Sequence, residues 1–438
     1  MEAVSAAQKD NQPDWRLRQF RWQLFTATWL SYAGFYFTRK VFTSLKKDIA
    51  VGLQVDAQGV AHLYTVYLVT YALGQFVAAW LSKRMNNRSQ LILGMAVSIA
   101  CCLAMGKFVQ MGSAGYPFFL VTMGIHGLAQ AAGWPNNVAL MANWTRRAER
   151  GSIMAVWGTC YQIGSIAAKS FAGYMFVLAG LLGAHWAASF VLLVVLGVFL
   201  FWGKQSPASV GLTPIVDDDT PAQDGSGKSS AVKKSGESSL SRRQILLIAS
   251  MGAIYFTIKS VRYALESWGP YIVKEHFHRS TEFAANASTT FDWLGFFGVL
   301  AAGWISDRWF RSARSPVIFL MTCGLFVGSI ALWWVGLSSL ALFIVLIGVV
   351  GFMDMGPDSL LVGAGAVEAG NQRQAVVAVG IINGLGSIGP IVQEEVIAWL
   401  QVRQGLGAVC LLLVGFSAVA TVATGLLFAS SRRYRLGL

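Results

Sequence analysis

Charge is what this chain is short of. Of its 438 residues, 13% are charged and 55% hydrophobic, whereas a soluble chain carries about 25% charge. An ordinary soluble domain is therefore excluded. The five cysteines (Cys101, Cys102, Cys160, Cys323 and Cys410) all lie within apolar runs, without metal-type spacing, so neither a disulfide framework nor a zinc site is expected. His62, His126, His185, His276 and His278 form no metal set either. The first residues are polar and basic, with no apolar stretch of the signal-peptide kind. Alternating segments of a transmembrane barrel are missing. No phosphate-binding loop, dinucleotide fingerprint or nucleophile–base pair is present, so no enzyme activity, cofactor or metal is expected.

What the chain has in quantity is long apolar runs. Each covers about 18 residues or more, enough to cross a hydrocarbon core roughly 30 Å thick. The expected fold class is an all-α polytopic membrane protein with twelve transmembrane helices in a lipid bilayer. The candidate spans are 22–45, 59–82, 89–106, 116–144, 151–178 and 183–203, then 245–273, 283–306, 316–336, 339–366, 374–400 and 406–430. Between the two sets, Asp217 to Ser241 is rich in Ser, Gly, Asp and Lys and reads as a flexible linker. The organisation read from this is a tail (1–21), a six-helix bundle (22–203), a linker (204–243), a second bundle (244–430) and a tail (431–438).

The net charge of +13 follows from topology and does not call for nucleic acid. One side of the bundle collects Lys9, Arg16, Arg18, Arg21, Lys83, Arg84, Arg88, Arg146, Arg147, Arg150, the linker lysines, Arg242, Arg243, Arg308, Arg311, Arg314, Arg373, Arg432, Arg433 and Arg435. The other side holds only Lys46, Lys47, Lys107, Lys274, Arg279 and Arg403. The positive-inside rule then places both termini and the linker in the cytoplasm, with a cell membrane, as in a bacterial inner membrane, as the expected location.

Five cations remain inside spans: Arg39, Lys40, Lys169, Lys259 and Arg262. Each is costly there, at roughly 2.5 to 3.5 kcal/mol on insertion scales. Arg39 and Lys40 end an aromatic run and could by themselves snorkel to the lipid headgroups. An internal repeat changes that weighing. The register that lays Ala79-Trp80-Leu81-Ser82-Lys83-Arg84 on Gly303-Trp304-Ile305-Ser306-Asp307-Arg308 carries Arg39 to Tyr263, next to Arg262. It also carries Gly133-Trp134-Pro135 close to Gly356-Pro357. Parallel repeats of this kind place a substrate site near the midplane, where the halves meet. Arg39 and Arg262 would face each other there and hold an anion.

Phe35-Tyr36-Phe37-Thr38-Arg39-Lys40 resembles the first-helix signature of the organophosphate:inorganic phosphate antiporters, a branch of the major facilitator superfamily. Gln130-Ala131-Ala132-Gly133-Trp134-Pro135, Glu149-Arg150-Gly151 with Val156-Trp157, and Arg262-Tyr263 with Trp268-Gly269-Pro270 are similar to its later motifs, as are Gly303 to Arg308 and Gly356-Pro357. The resemblance implies the major facilitator fold, with two six-helix halves related by pseudo-two-fold symmetry. It implies exchange of an organic phosphate for inorganic phosphate by rocker-switch alternating access, with the two arginines on the phosphate. Gln75 stands where that family usually has lysine, Tyr161 where some branches have histidine, and Lys83 where an aspartate is usual; Lys259 is an addition.

Further roles follow residue by residue. Lys259 lies one turn before Arg262 on the same face and either adds charge to the site or pairs with Asp292 or Glu266. Lys40 points about 100° away from Arg39 and serves charge balance. Lys169 is expected to pair with Glu394 or Glu395. Asp292 balances a cation, and Asp358, after Gly356-Pro357 at an expected helix break, gates. Tyr36, Tyr67, Trp134, Tyr161 and Tyr263 are candidate contacts to the substrate, with Tyr64 and Tyr71 beside them. The expected partners are a small anionic, phosphorylated substrate and inorganic phosphate, with the chain a monomer. A transporter-like sugar-phosphate sensor and a proton-coupled symporter of a non-phosphate anion are the alternative functions.

Overall fold

The computed structural model describes residues 15–213, 215, 241–311, 313–368 and 372–434. The core of the linker and the extreme ends of both tails lie outside them. The described residues are helical apart from short connections. The N-terminal set is α1 (Trp15–Ser44), a short α2 (Lys46–Gly52), α3 (Ala57–Leu81), α4 (Asn87–Phe108), α5 (Tyr116–Gln130), α6 (Gly133–Asn143), α7 (Arg147–Trp157) and α8 (Thr159–Trp202). The C-terminal set is α9 (Arg242–Glu275), α10 (Thr281–Trp309), α11 (Ser315–Trp334), α12 (Leu340–Glu368), α13 (Gln372–Gln404) and α14 (Leu406–Tyr434).

Local chemistry marks where these helices begin. Asp56 accepts the Gly59 amide at 2.8 Å, Asn86 the Ser89 amide at 2.8 Å, and Ser280 the Phe283 amide at 3.2 Å. Each satisfies one of the amides that a helix start leaves open. Spans 5 and 6 are joined in α8, which reverses at Gly180 with φ of 65°, a conformation that suits glycine. Span 4 is interrupted between Gln130 and Gly133, whereas Pro357 sits inside a continuous α12. The break expected at Gly356-Pro357 is therefore absent. In an apolar setting the helix keeps its other hydrogen bonds around the proline, because nothing else would satisfy them.

Among the described residues, seven segments are long and apolar enough to cross a membrane unaided, two of them being the double crossings 87–143 and 159–202. The long helices outside that set are α1, α10 and α13, which carry Arg39, Lys40, Asp292, Glu394 and Glu395. Matching close contacts hold each half together. A Cβ on Gly127 of α5 would lie 2.5 Å from the Tyr67 carbonyl oxygen of α3, and one on Gly298 of α10 would lie 2.1 Å from that of Phe352 in α12. Small residues let these helix pairs approach, as is common where lipid supplies no hydrophobic drive. The halves meet along α3 with α13 and α8 with α10. We call the end of the bundle that bears Trp15 and Tyr434 the terminal end, and the end that bears α2 and Gly180 the far end.

Candidate anion site

Arg39 and Arg262 line one cavity. Its walls are Tyr36, Arg39, Lys40, Tyr64, Tyr67, Leu68 and Tyr71 from the first half, and Arg262, Tyr263 and Glu266 from the second. The free space is small, about 20 Å³, on the scale of one water. A larger ligand needs these side chains to move apart.

The two guanidinium groups are held differently. Arg39 donates to Gln130 Oε1 from Nε at 3.3 Å and from Nη2 at 3.0 Å. Gln130 is itself fixed, because its amide nitrogen donates to Thr38 Oγ1 at 3.0 Å. Tyrosine faces surround the cation: Tyr36 at 4.9 Å, Tyr71 at 5.1 Å and Tyr67 at 6.0 Å from ring centre to guanidinium carbon. These rings attract a cation without neutralising it. Arg262 instead donates from Nη1 to Asp358 Oδ2 at 3.2 Å, with Tyr161 at 5.3 Å and Tyr263 at 5.8 Å. Its Nε and the Tyr67 hydroxyl are buried without a hydrogen-bond partner among the described residues.

Lys40 and Glu266, across the cavity wall, pair at 3.2 Å and largely cancel. The remaining charge is two guanidiniums against one carboxylate, Asp358. With two unused donors nearby, the cavity is suited to an anion with several acceptor oxygens.

The other candidates fall around this centre. Lys259 does not line the cavity: its ammonium lies over the Tyr255 ring at 4.7 Å and reaches Ser387 at 3.4 Å and Asn383 at 3.5 Å. Neither Asp292 nor Glu266 is its partner, because Lys169 and Lys40 hold those acids. Lys169 is paired with Asp292 at 2.5 Å, and Ser165 donates to the same carboxylate at 3.1 Å. The partner expected for Lys169, Glu394 or Glu395, is thus corrected. Glu394 is taken by Lys46, and Glu395 by Gln58 and His62, all nearer the far end. Trp134 meets Tyr32 edge-to-face at 5.1 Å and Trp157 at a tilt at 5.2 Å, and it is outside the cavity wall. Tyr161 reaches Met355 Sδ of the other half at 3.7 Å.

Sequence reasoning did not single out four residues that matter here. Gln130 orients Arg39. Lys46 counts as a loop cation by position, yet it is fully buried between Glu394, Ser267 at 2.8 Å and the face of Trp268 at 3.6 Å. Glu266 lines the cavity, and Asp354 lies one turn before Asp358. The spacing of Asp354 and Asp358 was the signal available for the last.

The family profile described as Major Facilitator Superfamily matches residues 27–393. The chain belongs to the major facilitator superfamily. It is 26% identical to the membrane sensor protein UhpC of Escherichia coli K12, covering 86% of this chain and 85% of that one. It is also 26% identical to a probable hexose phosphate transport protein of Chlamydia trachomatis (84% and 80% covered). With the glycerol-3-phosphate transporter of Haemophilus influenzae it shares 24% identity over 96% and 94% of the two chains. These relatives agree with the antiporter branch that the motifs resemble. Among solved structures, a D-xylose–proton symporter superposes with a TM-score of 0.72 at 13% identity over 92% of this chain and 96% of its own. A bacterial homologue of the lysosomal transporter Spinster, solved inward-facing and unoccupied, gives 0.70 at 15% over 95% and 98%. Both likenesses concern the fold. The chain is a membrane-embedded protein of a transporter family and not an enzyme.

Proposed function

We propose that this chain exchanges a phosphate monoester, or a similar organic anion, for inorganic phosphate across a cell membrane. The observation that carries the reading is the pair Arg39 and Arg262, one from each half, on the wall of a single cavity. A phosphate monoester carries roughly −1.5 to −2 charge and three acceptor oxygens, and arginine presents a planar fork suited to it. The likeness to proteins named for hexose phosphate and glycerol-3-phosphate transport supports a phosphate ester as substrate.

In this reading Arg39 and Arg262 take the phosphate, while Tyr36, Tyr67 and Tyr263 add hydroxyl and ring contacts. Tyr161 stacks on Arg262, Lys259 raises the local potential from behind it, and Trp134 lies on the approach from the terminal end. Lys40, Lys169, Asp292 and Asp358 balance charge. With the site empty the guanidiniums repel each other, and a bound dianion relieves that repulsion as the halves close, so the loaded carrier rocks and the empty one resists. The halves, 22–203 and 244–430, move as units joined by the linker, 204–243. Both termini are cytoplasmic and the carrier works as a monomer. Ion pairs across the far end, Lys46–Glu394, Lys47–Glu275 and Lys274–Asp48, act as the gate that opens and closes.

Purified protein in liposomes preloaded with unlabelled phosphate tests this. Labelled inorganic phosphate should enter by counterflow, and external hexose phosphate or glycerol phosphate should compete. Exchange by Arg262→Lys at the wild-type rate would sink the reading. The likeness to a sensor protein favours a second one: ligand-dependent stabilisation without solute movement would point to sensing.

A further inference from the structure

Lys259 of α9 is a cation within a span that has no carboxylate of its own. Its ammonium rests on the Tyr255 ring at 4.7 Å and donates to two neutral oxygens of α13, Ser387 Oγ at 3.4 Å and Asn383 Oδ1 at 3.5 Å. The Ser387 hydroxyl hydrogen is used on the Asn383 carbonyl at 2.7 Å, and the Asn383 amide nitrogen has no acceptor among the described residues. Two charged groups are close enough to act on Lys259: Asp358 attracts it and Arg262 repels it. Asp358 is already the acceptor of Arg262 at 3.2 Å, and Asp354 acts on Arg262 but not on Lys259. The surroundings of Lys259 also face the substrate path. On α13, Ser387 shares a stripe with Ile391 and Glu394, one and two turns on. Ile391 packs on the core of the first half and Glu394 pairs with Lys46, so the stripe is turned to the first half and not to lipid. Toward the terminal end it opens, because a Cβ built on Gly380 or Gly384, beside Asn383, would meet nothing within 4 Å. The register that lays Arg262 on Arg39 lays Lys259 on Tyr36. The first half therefore has no matching cation, and the extra charge flanks the arginine pair on one side.

We propose that Lys259 and Asn383 form a second anion subsite, one turn from Arg262 toward the terminal end, and that the organic substrate is a phosphorylated short-chain carboxylic acid. This deepens the anion-exchange reading and rests on it. The phosphate lies between Arg39 and Arg262, and the carboxylate accepts from the Lys259 ammonium and from the unused Asn383 amide. Residues three apart on a helix have Cβ atoms about 5–6 Å apart, a gap that a chain of about three carbons spans at roughly 1.5 Å per bond. One uncommitted cation matches one further negative charge, and two donors match the two oxygens of a carboxylate. A sugar hydroxyl in the same place would leave the ammonium without a counter-charge. Inorganic phosphate fills the arginine subsite alone and leaves Lys259 on its neutral partners. The carbon chain runs toward the opening beside Gly380 and Gly384.

A matched pair of probes tests this on the full chain. Phosphoglycerate and glycerol phosphate share a carbon skeleton and differ in a carboxylate against a hydroxymethyl group. Each competes against counterflow of labelled inorganic phosphate into liposomes, and the ratio of their half-inhibitory concentrations is the readout. In wild type phosphoglycerate should compete at least about tenfold more strongly, the discrimination expected of one charge-assisted hydrogen bond. Lys259→Met should bring the ratio toward one, whereas Lys259→Arg, which keeps the charge, should retain a preference for phosphoglycerate. Asn383→Asp keeps Lys259 but offers it a carboxylate from the protein, so it too should abolish the preference. This second variant decides the matter if Lys259→Met does not fold. Equal competition by the two probes in wild type, or an unchanged ratio in either folded variant, would overturn the subsite while phosphate counterflow left the exchange reading standing. If wild type shows no phosphate counterflow, the exchange reading fails. Thermal shifts with the same two probes then decide the subsite: a larger shift with phosphoglycerate that Asn383→Asp removes supports it, and equal shifts overturn it.

Discussion

The two halves bring opposite charge to their shared interface. The first half contributes Lys40, Lys46, Lys47, Lys169 and His62, and the second answers with Glu266, Glu394, Glu275, Asp292 and Glu395. Lys274 with Asp48 reverses the order. The arginines do not follow this pattern. Arg262 is a cation of the acidic half and is matched within that half by Asp358. Arg39 is a cation of the basic half whose polar contacts are to the neutral Gln130. Cross-half lysine–acid pairs therefore cancel charge and close the interface, whereas the arginines retain positive charge on the wall of the cavity. Position in the bundle does not separate these roles; the partner does.

Breaking a cancelled pair should have the largest effect. Lys169→Met leaves Asp292 buried without its cation, and losing one partner of a buried pair costs about 3–5 kcal/mol. Thermal unfolding in detergent should show that loss, and the double variant Lys169→Met with Asp292→Leu should recover most of it, because an apolar replacement of both partners is often neutral. An equal loss in the double variant would mean that the site depends on shape and not on charge cancellation.

Replacing each arginine comes next. Arg39→Lys and Arg262→Lys keep the charge but lose the planar fork. Charge-assisted hydrogen bonds contribute about 1.5–3 kcal/mol each, so phosphate affinity, read by thermal shift or counterflow, should fall by roughly 10- to 150-fold in either variant. If only one arginine matters, the pairing across the halves is not the binding unit.

The fold and the arginine pair were legible because both depend on features that survive in one dimension. Apolar run length is set by bilayer thickness, and the repeat puts Arg39 and Arg262 in nearly the same register. Pairing was much less legible. Lys169 could meet Glu394 or Asp292, and only the height of each residue along its helix, together with the rotation of the halves, selects Asp292. Lys46 was read as a loop cation because it follows a span end, but the short α2 folds back and buries it against Trp268. Asp354 was passed over because Met355 separates it from the Gly-Pro that Asp358 follows directly. Its isolation is a property of what surrounds it, which sequence does not print.

Loosening the holders of the arginines should split them by sign. Asp358→Asn removes the carboxylate that competes for Arg262, so phosphate binding to the unloaded protein should tighten, by about tenfold if the lost hydrogen bond to a charged group contributes about 1.5 kcal/mol. Gln130→Leu removes a neutral acceptor that only orients Arg39, so binding should weaken, by about fivefold for a net bond near 1 kcal/mol. Matching signs would erase the distinction between a competitor and a guide.

The smallest effect belongs to a pair with the same chemistry but a different place. Arg21 donates to Glu149 within the first half, near the terminal end and partly exposed. Partial burial pushes the Glu149 carboxyl up, but the Arg21 hydrogen bond and the Arg146 backbone amide outweigh that and hold it below the ordinary carboxylate range. A carboxyl depressed in the folded state contributes stability above its unfolded pKa, near 4.3, and loses it as pH falls through the folded value. Arg21→Ala should therefore cost no more than about 1 kcal/mol, as exposed pairs do, and the difference from wild type should shrink in a thermal-shift series carried below pH ~4. An effect as large as that of Lys169→Met would mean that location across the interface is not what gives the cross-half pairs their strength.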